Sequence, residues 1–257
     1  ELLTDVLREA NVTTTRAVFG IPSTSSFITA VRLPAMVPKE LAAAVPFEAK
    51  KYVPIPTNEV TLDWQVIEED QAAQQVMVLL VAVPKEVIAK YQRVAEAMGL
   101  TLAGVEIESF SLVRSLLANE RGVIALFNLG SLVSTITVVH DRRLRLNHNI
   151  GRGSHEITTT LAQSLGVTLE RAEALKRSVG LSEKPEEREI TEIATPIVES
   201  TLADLERVVL AYNRREKRKV ERIVLAGGGA NLNGIVERVA QRFGLDTTIG
   251  NPFRRTV

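Results

Sequence analysis

The sequence predicts a layered α/β protein, and three observations carry that prediction. Short β-rich runs are mixed with segments of helical periodicity along the whole chain. Two apolar β-type runs each end in a glycine turn, one at Asn128-Leu129-Gly130-Ser131 and one at Gly227-Gly228-Gly229. The chain has 257 residues, 45% of them hydrophobic and 24% charged, the make-up of a globular protein with one large domain or two ordinary ones.

In chain order, residues 2–10 read as the end of a helix. The β-rich runs 17–21 and 27–31, separated by Pro22 and serines, read as two strands. Val37-Pro38-Lys39-Glu40 opens a helix to about residue 51, and the same four residues recur at 83–86 to open another to about 98. Proline suits a first helical position, where its missing N–H costs nothing. Strands are expected over 60–67, which alternates, over 76–83, which is almost wholly apolar, and over 102–107. Residues 37–107 thus form a small α+β unit that interrupts a larger one, and a helix over 109–118 resumes the larger unit. Three closely spaced strands at 123–127, 136–139 and 144–150 suggest a meander, followed by helices over 154–165 and 168–178. Apolar residues at spacings of three and four from Ile190 to Tyr212 give the clearest helix. Pro196 either starts that helix, with Thr195 as its cap, or kinks it. A strand at 223–226, a helix at 232–243 and a strand at 247–249 complete the chain.

Lys plus Arg and Asp plus Glu are equal at 31 each, so no global field attracts nucleic acid or an acidic membrane. The absence of cysteine excludes a disulfide framework, a thiolate metal site and a cysteine nucleophile. No apolar run reaches bilayer length and no secretory signal opens the chain. The chain begins at Glu1 and not at Met, which predicts a fragment or a processed chain.

Glycine lets main-chain N–H groups approach a ligand closely, so the two turns are candidates for cradling phosphate. The first offers Asn128, Gly130, Ser131 and Ser134; alone, it reads as an ordinary strand and turn. The second, Gly227-Gly228-Gly229, precedes a helix whose dipole favours anions. Three consecutive glycines cost backbone entropy, which tips that turn towards function. Gly151-Arg152-Gly153 follows a strand and precedes a helix. Glu173 and Lys176 lie three apart on a helix, where a surface pair stabilises by only about 0.2–0.5 kcal/mol. The basic run 214–219 reads as a solvated helix end, with lipid or nucleic-acid binding as the alternative. His140, His148 and His155 lack metal-ligand spacing, residues 23–26 lack a nucleophile-elbow pattern, and Trp64 beside Asp63 reads as packing. No catalytic residue and no metal ligand is assigned.

These residues together resemble the PilM family of actin-like type IV pilus assembly proteins, relatives of FtsA. The likeness runs almost end to end: Ile21-Pro22-Ser23, residues 47–56 and 59–66, Gly99-Leu100, residues 106–110, Leu112-Val113-Arg114, residues 172–176, the triple glycine and Asn251-Pro252-Phe253. Segment 47–66 is its most specific part and belongs to an inserted subdomain. The resemblance implies an actin-like (ribonuclease H-like) ATPase fold with an inserted small α+β subdomain and a first half incomplete at both chain ends. It divides the chain into 1–36 and 108–120, the remnant of a first actin-like subdomain, 37–107, the insertion, and 121–257, the nucleotide side, with a helical subdomain at about 167–218.

The resemblance also implies function. ATP with Mg2+ would sit in an interdomain cleft, with phosphates at Asn128, Gly130, Ser131 and Ser134, ribose and base at Glu173 and Lys176, and Gly151 and Gly227, Gly228 and Gly229 lining the cleft. Asn128 replaces the family's aspartate and the first phosphate loop is missing, which counts against hydrolysis by this chain. The implied partners are the N-terminal tail of a PilN-like inner-membrane protein, the pilus motor ATPases and further copies of the chain. The implied place is the cytoplasm, peripheral to the inner membrane through a partner, with no nucleic acid and no direct membrane insertion. The alternatives are an FtsA-like polymerising membrane tether and a small-molecule kinase on the same fold.

Overall fold

The computed structural model describes residues 2–117 and 120–254. It divides into two units, Glu1–Ser111 and Leu112–Val257. In the first, helix α1 (Leu2–Glu9) precedes strands β1 (Arg16–Ile21) and β2 (Phe27–Pro34), joined through a short 3-10 turn at Ser23–Ser25. Helix α2 (Pro38–Ala49), strands β3 (Val60–Asp70) and β4 (Gln75–Pro84), helix α3 (Lys85–Ala97) and strand β5 (Thr101–Ile107) follow. Pro38 takes the first helical position of α2, as expected. Pro84 does not do so in α3: it ends β4 and caps the helix, because its backbone at φ −55° and ψ 133° is still extended.

Two sheets form this unit. β4 lies between β2 and β3, antiparallel to both, and β1 pairs in parallel with β5. The pairing crosses the expected segment limits, since β2 comes from 1–36 and β5, from 37–107, pairs back onto β1. From Val76 to Pro84 β4 is apolar because it is covered on both faces. Val76, Val78, Leu80 and Ala82 pack with Leu41, Val45 and Ala49 of α2, while Val83 joins Ile21 and Ile107. β3 is an edge strand with one covered face, and it alternates.

Helix α4 (Glu108–Leu112) passes into a π turn at Val113–Leu117; residue 118, the end of the expected helix, lies outside the described residues. The second unit then holds β6 (Val123–Leu129), β7 (Ser134–His140), β8 (Arg143–Ile150), α5 (His155–Leu165), α6 (Leu169–Val179), α7 (Arg188–Glu216), β9 (Arg222–Ala226), α8 (Ile235–Phe243) and β10 (Asp246–Ile249). Its five-stranded sheet runs β10-β9-β6-β7-β8. β10, β9 and β6 are parallel, and β6, β7 and β8 form the antiparallel meander. Phe127, Ile136 and Val138 face the larger core with Leu161 of α5, Leu202 and Leu205 of α7 and Val239 of α8.

Pro196 does not start the helix: α7 runs through it. The ring removes one backbone bond at a cost of about 3 kcal/mol. Pro196 is exposed, as is Glu192, whose carbonyl loses its helical partner, and the Thr195 hydroxyl donates to Thr191 O at 2.7 Å and does not cap the helix. Burial of Ala194, Val198, Leu202, Leu205, Val209 and Tyr212 outweighs the penalty, since each large apolar side chain contributes about 1.5–3 kcal/mol.

Candidate functional site

Strand direction creates the site. β6 and β9 are neighbours and parallel, with Asn128 beside Ala226, so both glycine turns leave the sheet at its carboxyl end. That is where open α/β sheets place ligands. A cavity of about 740 Å3 opens there. Of the predicted residues, Ser131, Ser134, Glu173, Lys176, Gly228 and Gly229 line it, and Asn128, Gly130, Gly151 and Gly227 do not.

Close backbone approach builds these turns at three glycines, Gly227, Gly229 and Gly153. Gly227 has φ 81°, and a Cβ there would lie 2.6 Å from both Asn128 Oδ1 and Leu129 O. A Cβ on Gly229 would meet Leu129 Cβ at 2.8 Å, whereas one on Gly228 would meet only open space. The second turn thus presses on the end of β6 at two glycines and exposes the one between them. A Cβ on Gly153 would strike the Ser131 carbonyl, so Gly153, and not Gly151, seats the first turn. Ser154 N and His155 N donate to Gly130 O and Ser131 O, each at 2.9 Å. Gly151 stands apart, and its neighbour Arg152 donates to Ser200 Oγ on α7 at 2.6 Å.

Glu173 and Lys176 form a half-buried strut whose lysine end is buried, not a solvent-exposed surface pair. Lys176 is 8% exposed, and its Nζ donates to Glu173 Oε2 at 2.7 Å, Thr158 Oγ1 at 2.9 Å and Ser154 O at 3.2 Å. These three bonds use all the donors of an ammonium group. Thr158 Oγ1 in turn donates to Glu173 Oε2 at 2.6 Å, and Arg177 Nε donates to Oε1 at 2.8 Å. Burial alone would push the Glu173 carboxyl up, but the bonds from Lys176, Thr158 and Arg177 outweigh it and bring its pKa down to about 2. Glu173 is therefore anionic at neutral pH and occupied, which suits a wall and not a general base.

The cavity takes further lining from Ser154, His155, Thr201, Asn231, Leu232 and Ile235. Asn231 follows the glycines by two residues and Ser154 follows Gly153, so proximity to the motifs was their available signal. Thr201 carried none, because its helical spacing is shared by every core-facing residue of α7. Hydroxyls of Ser131 and Ser134 and exposed backbone at Gly228, beside apolar Leu232 and Ile235, fit a phosphorylated ligand with an apolar moiety. They do not fit a bare divalent cation: Asn128 is neutral and Glu173 is spoken for, whereas magnesium is held through carboxylate or phosphate oxygens. Among the described residues no group of three or more His, Cys, Asp or Glu is placed to hold a metal ion.

The first unit holds a smaller cavity of about 320 Å3. The faces of β3 and β4, with Thr61, Asp63, Trp64 and Val81, meet β5 and Phe110 there. Beside it Ser23 N and Oγ both donate to Glu108 Oε1 at 3.0 Å, which fixes the β1–β2 turn to the start of α4.

A family model described as type IV pilus assembly protein PilM matches residues 1–257. A solved PilM-PilN type IV pilus biogenesis complex is similar with a TM-score of 0.82 and 22% identity, over 98% of this chain and 74% of that one. MreB5 of Spiroplasma citri, solved bound to ADP, is similar with a TM-score of 0.57 and 13% identity, over 98% of this chain and 69% of that one. The cell division protein FtsA of Enterococcus faecalis is 26% identical over 184 residues, 62% of this chain. The chain spans 41% of the length of that curated relative. The structural likenesses show the expected actin-like α/β fold. Among the described residues no helix is long and apolar enough to cross a membrane.

Proposed function

The chain belongs to the PilM family of type IV pilus assembly proteins, and on that premise we propose that it is an actin-like scaffold that binds ATP in the second unit and a membrane partner's tail in the first. The observation that carries the nucleotide half is the adjacency of parallel β6 and β9, which sets both glycine turns beside one cavity. Gly228 offers main chain to phosphate, Ser131 and Ser134 offer hydroxyls, and Asn231, Leu232 and Ile235 offer a partly apolar wall to a base. Magnesium would arrive with the phosphates, held by their oxygens and by water. Nucleotide orders the unit and biases partner binding, a population shift and not a chemical output. The ADP-bound state of the similar MreB5 supports this reading.

The cavity of the first unit is suited to an extended tail. Alternate residues Leu79, Val81 and Val83 of β4, with Val105 and Ile107 of β5, give it apolar lining at strand spacing, and Thr61, Asp63 and Gln65 of β3 give it polar lining at the same spacing, the means by which peptides are read. The similar PilM-PilN complex supports a PilN-like occupant. The scaffold would then work in the cytoplasm, held at the inner membrane through that partner, where it meets the pilus motor ATPases and other copies of itself.

Two measurements test the two halves separately. A thermal melt with magnesium-ATP at about 100 times its Kd should show about 2.7 kcal/mol of stabilisation, and no saturable shift would remove the nucleotide half. Trp64 is the chain's single tryptophan and lines the tail cavity. Its fluorescence should change saturably when a PilN-like tail peptide is added; a flat titration would remove the tail half.

A further inference from the structure

The opposite end of the five-stranded sheet carries a concentration of charge that neither cavity uses. β6 and β9 begin there, β7 ends there and β8 starts there, so loop 120–122, hairpin 140–145 and segment 214–222 must gather. A seven-residue strand, about 23 Å, separates this end from the cavity. Direct bonds hold the three segments together. Asp141 N donates to Gly122 O and Gly122 N to Asp141 Oδ1, both at 3.1 Å. Arg218 Nη1 lies 3.1 Å from His140 Nδ1, and Glu221 N donates to Val123 O at 2.8 Å.

The segments contain ten Lys or Arg and four Asp or Glu, in a chain whose totals balance at 31 each. Arg121, Arg142, Arg214, Lys217 and Lys219 are exposed. Two of these cations occupy backbone that favours glycine. Lys217 ends α7 at φ 52°, the left-handed position that Gly166 and Gly244 fill at the ends of α5 and α8. Arg142 has φ 68° at the tip of the β7–β8 hairpin, where glycine is the least strained choice. The chain thus presents positive charge at two projecting tips at the expense of backbone comfort.

We propose that this end of the second unit is an electrostatic docking surface for anionic phospholipid headgroups. The cations are spread over a loop, a hairpin tip and a helix end, a shape suited to a flat partner. Residues 120–122, 140–145 and 214–222 contain no Phe, Tyr or Trp on which a nucleobase could stack, and the one ring present, His140, is engaged by Arg218. Juxtaposed Lys and Arg suffice for attraction to an anionic leaflet, and without an inserting apolar group the contact is reversible and sensitive to salt. This surface is independent of the nucleotide and tail readings.

The test is co-sedimentation of the chain with vesicles of phosphatidylcholine, with and without phosphatidylglycerol, at low and high salt. Binding should require phosphatidylglycerol and fall with salt. Each cation removed should weaken it about fivefold, so R142G/K217G should lose about 25-fold. That variant relieves two strained positions and should melt no lower than the unaltered chain. The exposed pair R121Q/K219Q is the second variant, and it should lose as much with its backbone untouched. Equal binding to both vesicle types, or full binding by both variants, would overturn the proposal. Binding to polyglutamate with none to vesicles would also overturn it, in favour of an acidic protein partner.

Discussion

The two cavities are made of different material. In the second unit the walls are turns of main chain pressed together at Gly227, Gly229 and Gly153, braced by the Glu173–Lys176 strut. In the first unit they are side chains on the faces of β3, β4 and β5. A main-chain wall reads charge and polarity at fixed positions and, at Gly227, Gly229 and Gly153, has no room for a single added carbon. A side-chain wall reads shape along a strand and tolerates exchange. The contrast matches a phosphate-bearing ligand in one and a peptide in the other.

The sharpest attempt to break the contrast is Gly227→Val. Positive φ and two 2.6 Å approaches leave no place for its Cβ, so about 3–4 kcal/mol of stability should be lost in urea denaturation, together with the ATP-induced shift in melting. A loss below about 1 kcal/mol would show that the main-chain wall yields. Next comes Lys176→Met, which strands Glu173 and Thr158 in a half-buried wall. A loss of about 2–3 kcal/mol is expected by the same measurement. The strut also has a pH signature. Because the folded state holds Glu173 near 2, below its ordinary 4.5, its contribution is complete above about pH 4.5 and disappears as pH falls towards 2. With the carboxyl about a third exposed, solvent screening leaves about 1–2 kcal/mol. Glu173→Gln should remove that part of the acid slope, and an unchanged slope would assign it elsewhere. The smallest effect on stability belongs to Thr61→Arg, at an exposed position on the rim of the side-chain cavity. Melting should stay within about 0.5 kcal/mol of the unaltered chain while tail affinity, read from Trp64, falls about tenfold.

What the sequence disclosed followed from local physics. The unbroken apolar run of β4 announced a strand covered on both faces, and the spacing from Ile190 to Tyr212 announced α7. The glycines at 227–229 announced a turn at which side chains are not admitted. What it hid depends on partners distant in the chain. Nothing near Arg16–Ile21 says that it pairs with Thr101–Ile107. The Glu173–Lys176 pair looks like an exposed helix pair until Thr158, from another helix, closes over it. Gly151 and Gly153 are equivalent in sequence, and only the packing of the Ser131 carbonyl separates them. Pro196 was ambiguous because the outcome is decided by burial elsewhere on the same helix. The basic end was visible as a run at 214–219, but its convergence with 121 and 140–145 required the sheet.

The pairing of β6 with β9 has a consequence in time. Val123 and Glu221 meet across 98 residues, whereas β6, β7 and β8 meet across tight turns. Nearby contacts close early and distant ones late, because the loop between them must first surrender its entropy. During synthesis at about 5–20 residues per second, the meander waits about 4–15 s for β9 to be made. Through that interval one long side of β6 has no neighbour, an open edge of the kind that invites wrong pairing between chains. The cavity beside the two glycine turns is completed only when that edge closes, so a ligand held there would act late in folding and would not rescue a chain that fails before β6 meets β9.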